Sequence, residues 1–178
     1  MSQPAPEFSR TVTLAEIGNR PLTRRYAAKP EECAALARRF DLPAIARLEA
    51  EVTVEPVRRE YHLSGRIVAD LTQVSVVSLE PFDSTLDEAF ELRLSPDAPS
   101  DEEALEMMLD PNAEEPPEPL EGDRIDLGEI VAQHLSLALD PNPRAPGETF
   151  EGFSEEGGAE PEKPANPFAK LADWQRNR

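Results

Sequence analysis

Apolar and polar residues alternate with a period of two through the middle of the chain, a pattern typical of strands with one buried face. The alternation is clear in Glu51–Val57, Tyr61–Ile67 and Thr85–Leu94. Ile67–Leu79 is apolar at both parities, which favours a central strand covered on both faces. Short turns are expected at two places, Arg58-Arg59 and Pro81–Ser84. The pattern therefore predicts an antiparallel sheet in the middle of the chain.

Two segments have the spacing of amphipathic helices. Pro30–Phe40 has proline at its first position, acidic residues in its first turn and arginines in its last, an order that suits the helix dipole. Leu127–Leu139 follows Asp126, whose carboxylate is expected to cap the first turn, with Glu129 completing a capping box. Pro141 ends this second helix. Both helices have an apolar face that can cover the sheet.

The remaining segments are short or polar. Extended pieces are expected around Phe8–Leu14 and Arg24–Ala28. Ser95–Asp123 holds eleven acidic residues, several prolines and no basic residue, so it buries too little apolar surface to offset the entropy of ordering. Residues 148–178 are rich in Gly, Glu and Pro and are also expected to be disordered, apart from a short motif near the C-terminus.

These elements predict an α+β fold. We expect an antiparallel β-sheet flanked by two main helices, with disordered acidic segments, and partial closure of the sheet into a barrel stays open. A single domain is expected over residues 1–147, with the acidic insertion at 95–123 inside it. Residues 148–178 then form a tail.

Charge is distributed unevenly along the chain of 178 residues, whose net charge is −18. Residues 1–66 contain eleven Lys or Arg and nine Asp or Glu, whereas residues 67–178 contain seven and 27. The acidic total argues against nucleic-acid binding, because phosphate contacts need a cationic surface. The asymmetry instead indicates that the two parts meet different partners, with any RNA surface in the first 66 residues.

Several classes of protein are disfavoured. Cys33 is the only cysteine, which excludes an internal disulfide and a cysteine-based zinc site. The N-terminus lacks the pattern of a signal peptide, and no stretch approaches the ~20 apolar residues of a membrane span. We therefore expect a cytoplasmic protein without membrane association.

Arg124–Gly147, with the sequence RIDLGEIVAQHLSLALDPNPRAPG, resembles a segment of the YceD family, whose members are linked to accumulation of the large-subunit ribosomal RNA. Three further segments resemble the family in the same order along the chain, namely Val68–Pro81, Phe90–Pro96 and Asn166–Ala172. The DPNPRAPG version most resembles the alphaproteobacterial branch. By this resemblance the chain is identified as a member of the family.

One of these segments departs from the family pattern. Leu79, Glu80 and Pro81 match it, but Ser75 and Ser78 stand where many members carry two cysteines. Serine hydroxyls do not ionise near neutral pH and are poor zinc ligands. No metal and no other cofactor is therefore expected in this chain.

Catalysis finds little support in the sequence. His62 falls on the solvent parity of a strand and His134 lies in the second helix, and nothing places a nucleophile or an orienting carboxylate beside either. Cys33 fits a small buried residue better than a reactive thiol. The glycines form no phosphate-binding loop. We therefore do not expect an enzyme.

Eight of the eleven basic residues in the first 66 positions are the candidates for RNA contact, because a guanidinium group can bind phosphate through two hydrogen bonds. They are Arg20, Arg24, Arg25, Arg38, Arg39, Arg58, Arg59 and Arg66. If the first helix and the 58–59 turn lie on one side, they form a cationic patch; equally, these arginines can pair with the protein's own carboxylates. Tyr26, Phe40 and Tyr61 can stack on bases, but the core is the more ordinary place for them. Arg144 is kept as one further possible contact.

The resemblance implies a non-enzymatic ribosome-biogenesis factor that promotes accumulation of large-subunit ribosomal RNA by contacting precursor RNA or an early large-subunit particle. The acidic part of the chain leaves an alternative open, an acidic chaperone that holds a basic ribosomal protein without binding RNA. The expected partners are accordingly large-subunit ribosomal RNA or its precursor, and ribosomal proteins. A further functional interpretation of the acidic run at 95–123 is that it masks the cationic patch until RNA displaces it. The plainer interpretation is an insertion that keeps the protein soluble.

Overall fold

Residues 6–109 and 115–149 are described by the structure, a computed structural model of the chain. In chain order the elements are β1 (Thr11–Thr13), α1 (Leu14–Ile17), β2 (Leu22–Ala27), α2 (Pro30–Arg39), β3 (Ala44–Val57), β4 (Glu60–Val74), β5 (Pro81–Ser95), α3 (Asp101–Met108), β6 (Glu118–Pro119), β7 (Arg124–Asp126) and α4 (Leu127–Ala138). The chain divides into a unit that ends at Glu148 and another that begins at Thr149, and all these elements belong to the first.

The main sheet has five strands in the order β2-β3-β4-β5-β6. Strands β2 to β5 are antiparallel to their neighbours, and β6 joins β5 in parallel over two residues. A separate two-stranded sheet pairs β1 with β7. In the part of the chain that the structure describes, the main sheet is open, so the mixed α+β fold is confirmed and the partly closed barrel is not formed there.

The two faces of the main sheet differ as the alternation predicts. On the covered face, Val52 of β3 and Ile67 of β4 are fully buried. Leu36 of α2 and Leu135 of α4 belong to the same apolar core, so these two helices cover that face. The open face carries polar cross-strand pairs, of which Thr23 with Thr53 is one, at 2.9 Å between hydroxyl oxygens. The sheet thus separates an apolar interior from a charged surface.

The strands are longer than the alternation predicts, and one turn lies elsewhere. The turn at Arg58-Arg59 is confirmed, and β4 continues without interruption through Ile67. The next reversal is at Ser75–Ser78, so the turn expected at Pro81–Ser84 was wrong, and that segment begins β5. Proline is tolerated at the first residue of a strand. The buried Ser75 hydroxyl accepts hydrogen bonds from two backbone N–H groups of the turn, at 3.1 and 3.4 Å, which favours reversal there.

Helix α4 begins where its capping residue predicts. The Asp126 carboxylate accepts from two backbone N–H groups of the first turn, at 3.0 and 3.2 Å, and from the N–H of Arg10 at 2.7 Å. The capping box expected from Glu129 was wrong, because the Glu129 carboxylate binds the guanidinium of Arg39 instead. A residue expected to serve its own helix therefore joins α4 to α2.

Two glycines permit close packing on α4 and beneath it. A side chain at Gly128 would overlap the backbone of Phe8, so glycine lets α4 approach the N-terminal residues. A side chain at Gly65 would overlap the Phe90 ring, which lies over β4. The His134 ring of α4 stacks on the same Phe90 ring, with the two ring centroids 4.2 Å apart. These contacts fix α4 against the sheet.

The acidic insertion contains α3 and β6, while residues 110–114 lie outside the described part of the chain. Whether the insertion as a whole is disordered, and where the domain ends, stay predictions. The motif at Asn166–Ala172 lies outside the described residues. None of the helices in the described part is long and apolar enough to cross a membrane.

Candidate nucleic-acid interface

The eight candidate arginines lie at four places. Arg20, Arg58 and Arg59 lie at the tip end of the β3–β4 hairpin, Arg25 and Arg66 on the open face, Arg24 on the covered face of β2, and Arg38 and Arg39 at the end of α2. Four residues join α2 to the start of β3, whereas Arg58 follows its last residue. A strand of 14 residues spans roughly 45 Å, so the helix end and the hairpin tip do not form one patch.

Arg39 is held within the protein. Its guanidinium donates two hydrogen bonds to the Glu129 carboxylate, at 2.7 and 3.0 Å, and one to Glu7 at 3.1 Å. The Arg39 side chain is 32% exposed, and Glu129, followed by Glu7, raises its pKa above the ordinary value. Arg38 is exposed, and no carboxylate of the described residues lies within ion-pair distance of it. Arg39 therefore joins two helices and is poorly placed for a ligand.

The two open-face arginines are also paired. Arg66 donates two hydrogen bonds to Asp87, at 2.6 and 2.5 Å, and lowers the pKa of that carboxyl group. Arg25 donates to Glu51 on the neighbouring strand. Carboxylates outnumber arginines on this face, so its field is unfavourable for phosphate. Arg25 and Arg66 therefore pair with the protein's own carboxylates, which is the second of the two interpretations of the sequence.

The tip of the β3–β4 hairpin is the most available cationic surface. We call Arg20, Arg58 and Arg59 the hairpin-tip cluster. Arg20 joins it because β2 begins opposite Val54, near the end of β3. Arg59 has one ion pair, to Asp97 at 2.9 Å, and its side chain is 79% exposed. In the described ranges, Arg20 and Arg58 have no carboxylate within ion-pair distance.

Beside this tip lies a groove of about 920 Å³. The hairpin contributes Arg58, Arg59 and His62 to its lining, and β5 contributes Arg93, which donates to the carbonyl of Glu115. The acidic insertion contributes the remaining lining, which includes Asp97 and Glu103 and which we call the acidic wall. The groove therefore has one cationic wall and one acidic wall.

The aromatic residues near the candidates belong to the interior. Tyr26, Phe40 and Tyr61 are half-buried and pack against the apolar core. Burial raises the pKa of the Tyr26 hydroxyl. The core interpretation of the three rings is confirmed.

The sequence did not indicate a contact that closes the β4–β5 turn. The buried Ser75 hydroxyl donates to the carboxylate of Glu148, and this bond, followed by one from Ser78, lowers the pKa of Glu148. The backbone N–H of Val76 donates to the carbonyl of Pro143 at 2.9 Å. Residues 143–148 are thereby held against the turn. Among the residues with described positions, no group of His, Cys, Asp and Glu is arranged to hold a metal ion.

The cysteine and the two histidines have different surroundings. Burial lowers the pKa of His134, whose ring stacks on Phe90, and raises the pKa of the Cys33 thiol. His62 lies 3.3 Å from the Glu60 carboxylate at the edge of the tip groove. Cys33 is therefore a core residue, whereas His134 is half-buried and lines a small pocket between α4 and β5.

Residues 63–174 match the family model described as large ribosomal RNA subunit accumulation protein YceD, which is more than half of the chain. No curated protein and no solved structure matches the chain. The match begins within β4, so Arg66 lies inside it and the other seven candidates precede it.

Proposed function

Because the chain belongs to the YceD family of large ribosomal RNA subunit accumulation proteins, we propose that it acts in ribosome biogenesis and promotes accumulation of the large-subunit ribosomal RNA. The family match over residues 63–174 carries this proposal. The family's description names an accumulation factor and no reaction, so we propose a non-enzymatic, cytoplasmic role. The finer mechanism is contact with precursor RNA or an early large-subunit particle.

We assign this contact to the hairpin-tip cluster. Its arginines are exposed at the end of the β3–β4 hairpin, and two of the three are without an ion-pair partner among the described residues. Guanidinium groups in this state can bind phosphate without first breaking an internal contact. Arg39 and Arg66, by contrast, would have to leave Glu129 and Asp87. Availability therefore favours the tip.

The acidic wall of the groove adds a means of selection. Asp97 forms an ion pair with Arg59, in which the Arg59 side chain is 79% exposed and the Asp97 side chain 54%. Exposed pairs contribute at most ~1 kcal/mol, so a phosphate can replace Asp97 at little cost. The carboxylates nearby repel weakly held polyanions. This arrangement favours RNA that makes several contacts at once.

The proposal is tested by gradient sedimentation of cell extracts, with sequencing of the RNA that co-purifies with the full chain. We expect the protein in fractions that contain precursors of the large subunit, and a reduced amount of large-subunit RNA in a deletion strain. Absence from every precursor fraction, together with normal large-subunit RNA in the deletion strain, would contradict it.

A second candidate function, an acidic chaperone for a basic ribosomal protein, is favoured by α3. Its Leu105 and Met108 side chains are 62% and 67% exposed, beside the exposed carboxylates of Glu102 and Glu103. Replacing Leu105 and Met108 by serine should release a bound ribosomal protein and leave RNA association intact if this candidate is right. Loss of neither partner would argue against it.

A further inference from the structure

Strand β5 has a long unpaired edge. Its inner side pairs with β4 from Pro81 to Leu94, whereas its outer side pairs with β6 at Leu94 and Ser95. Within the residues that the structure describes, no backbone hydrogen bond reaches the outer side of Phe82–Leu92. Eleven residues at about 3.3 Å each give roughly 35 Å of open edge. Unpaired N–H and C=O groups in such a row are a template for another strand.

The chain itself shows that this edge accepts a strand. Glu118 and Pro119 pair in parallel with Leu94 and Ser95, and the N–H of Leu120 donates to the carbonyl of Ser95 at 2.9 Å. This short strand covers only the last two residues of β5. An added strand would continue the same sheet along the remainder.

The side chains along the edge specify what an added strand must contain. On the covered face the edge residues are mostly apolar: Phe82, Ser84, Leu86, Glu88, Phe90 and Leu92. On the open face they are mostly acidic: Asp83, Thr85, Asp87, Ala89 and Glu91. Cross-strand neighbours interact most favourably when apolar meets apolar and opposite charges meet. The complementary strand therefore alternates basic with apolar residues.

We propose that the outer edge of β5 binds an extended segment of a partner protein in which basic and apolar residues alternate. Backbone hydrogen bonds to the edge supply affinity, and the alternation supplies specificity and register. This inference goes beyond the ribosomal RNA proposal and concerns a different surface from the hairpin-tip cluster. It gives an acidic chaperone a binding site, without depending on the partner being a ribosomal protein.

Other occupants fit the edge less well. Two β5 edges from two copies of the chain would bring carboxylates of Asp83 and Glu91 close to each other, which is unfavourable. RNA would meet the same carboxylates. The β2 edge of a second copy, with Arg24 and Arg25, has suitable charge but only six residues. The self-association that it would cause is an outcome of the test.

The test uses the full chain and three synthetic nine-residue peptides, with binding followed by fluorescence anisotropy at physiological salt. The first peptide alternates lysine and valine. The second has the same composition in blocks, which breaks the alternation. The third repeats the alternating sequence with N-methyl groups on alternate backbone nitrogens, so that the edge facing β5 loses its donors. We expect the alternating peptide to bind at least tenfold more tightly than either of the others.

A matched pair of variants locates the site. In Asp83→Lys/Glu91→Lys, the open-face charge of the edge is reversed, and affinity for the alternating peptide should fall at least tenfold. The control Glu49→Lys/Glu55→Lys makes the same change of charge on the same face but on β3, two strands away, and should change affinity less than threefold. Circular dichroism verifies that both variants fold.

Three outcomes would overturn the inference. Equal binding of the three peptides would show attraction by charge alone, without strand addition. Equal loss of affinity in the two variants, or no binding at all, would place no strand-binding site at β5. Sedimentation of the full chain as a dimer that Asp83→Lys/Glu91→Lys dissociates would assign the edge to a second copy.

Discussion

Arg38-Arg39 at the end of α2 and Arg58-Arg59 at the hairpin tip have the same sequence in different surroundings. Arg39 binds Glu129 and Glu7 with its side chain about one-third exposed, whereas Arg59 meets Asp97 with 79% of its side chain exposed. Position in the fold decides how firmly an arginine is held: Arg39 is held between two helices, whereas Arg38 beside it and the arginines of the hairpin tip are exposed. A basic dipeptide therefore predicts a cation, but not its use.

The family match covers one part of the sequence, and the hairpin tip lies in the other. The family match begins at residue 63, after the hairpin tip, yet β4 inside the match pairs with β3 outside it along nearly its whole length. The N-terminal residues thus complete the matched fold and also carry the proposed RNA contact. The segment that matches the family and the segment proposed for RNA contact are therefore different.

The largest expected effect is on RNA affinity, which should depend on the arginines of the hairpin tip and not on the basic residues of α2. In Arg58→Glu/Arg59→Glu, affinity for an in vitro transcript of the large-subunit precursor should fall at least tenfold, and its salt dependence should weaken, because phosphate contacts are lost. Filter binding at several salt concentrations measures both. The matched control Lys29→Glu/Arg38→Glu changes the charge equally and should stay within threefold; an equal loss in both would mean that only net charge matters.

The next effect is on stability, for which the arginine at the end of α2 should matter more than the arginine at the hairpin tip. Arg39→Ala should lower the free energy of unfolding by about 1–3 kcal/mol, because it leaves two partly buried carboxylates without their donor. Arg59→Ala should change it by less than ~0.5 kcal/mol. Urea denaturation measures both, and a double-mutant cycle with Glu129→Ala isolates the pair. Equal effects of Arg39→Ala and Arg59→Ala would contradict the distinction.

A smaller effect concerns the dependence of stability on pH. Burial lowers the pKa of His134 below 6.5, so the folded protein binds this proton less readily than the unfolded chain. Stability contributed by neutral His134 is therefore complete above about pH 6.5 and declines as the pH falls towards the folded pKa. His134→Phe keeps a ring against Phe90 and should remove that part of the decline. Urea denaturation from pH 7.5 to 5 would show it. At any one pH, the RNA affinity of His134→Phe should equal that of the unchanged protein, since the substitution leaves the tip arginines in place.

The smallest expected effect is the gain in RNA affinity when one carboxylate of the acidic wall is removed. Asp97→Asn removes the carboxylate that competes for Arg59, and should raise RNA affinity about two- to threefold, in keeping with the ~1 kcal/mol limit of an exposed pair. Filter binding at low salt measures the gain, and Glu121→Gln serves as a control elsewhere in the insertion. A decrease in affinity would mean that Asp97 orders Arg59 for RNA rather than competing with it.

Features set by neighbours in sequence could be predicted, and features set by distant partners could not. The cap at Asp126 and the two-residue period in Glu51–Val57, Tyr61–Ile67 and Thr85–Leu94 are local, and both were predicted correctly. The covering of both faces expected for Ile67–Leu79 was wrong, because burial alternates through the end of β4 and Leu79 is exposed. The bond between Glu129 and Arg39 joins positions 90 residues apart, and that between Ser75 and Glu148 joins positions 73 apart. Such contacts depend on how the elements pack, so the sequence assigned Glu129 to a capping box and missed the turn at Ser75. Helix α1 escaped prediction because four residues carry too little periodicity.

The candidate site shows the same limit. The residue types were predictable, since arginine suits phosphate, but their grouping depended on the register of β2, β3 and β4. The candidates expected to form a single patch are therefore divided between the helix end, the open face, the covered face of β2 and the hairpin tip. Of eight arginines, the geometry leaves Arg20, Arg58 and Arg59 as the group proposed for RNA.

Crosslinking mass spectrometry of the full chain on purified large-subunit precursor particles would locate the RNA contact directly. Ultraviolet light would join RNA to the residues that touch it, and digestion would identify the crosslinked peptides. We expect RNA adducts on peptides that contain the β3–β4 turn, at residues 57–62, and none on the end of α2. Adducts on α2 or on the open face of the sheet, with the hairpin tip unmodified, would contradict it.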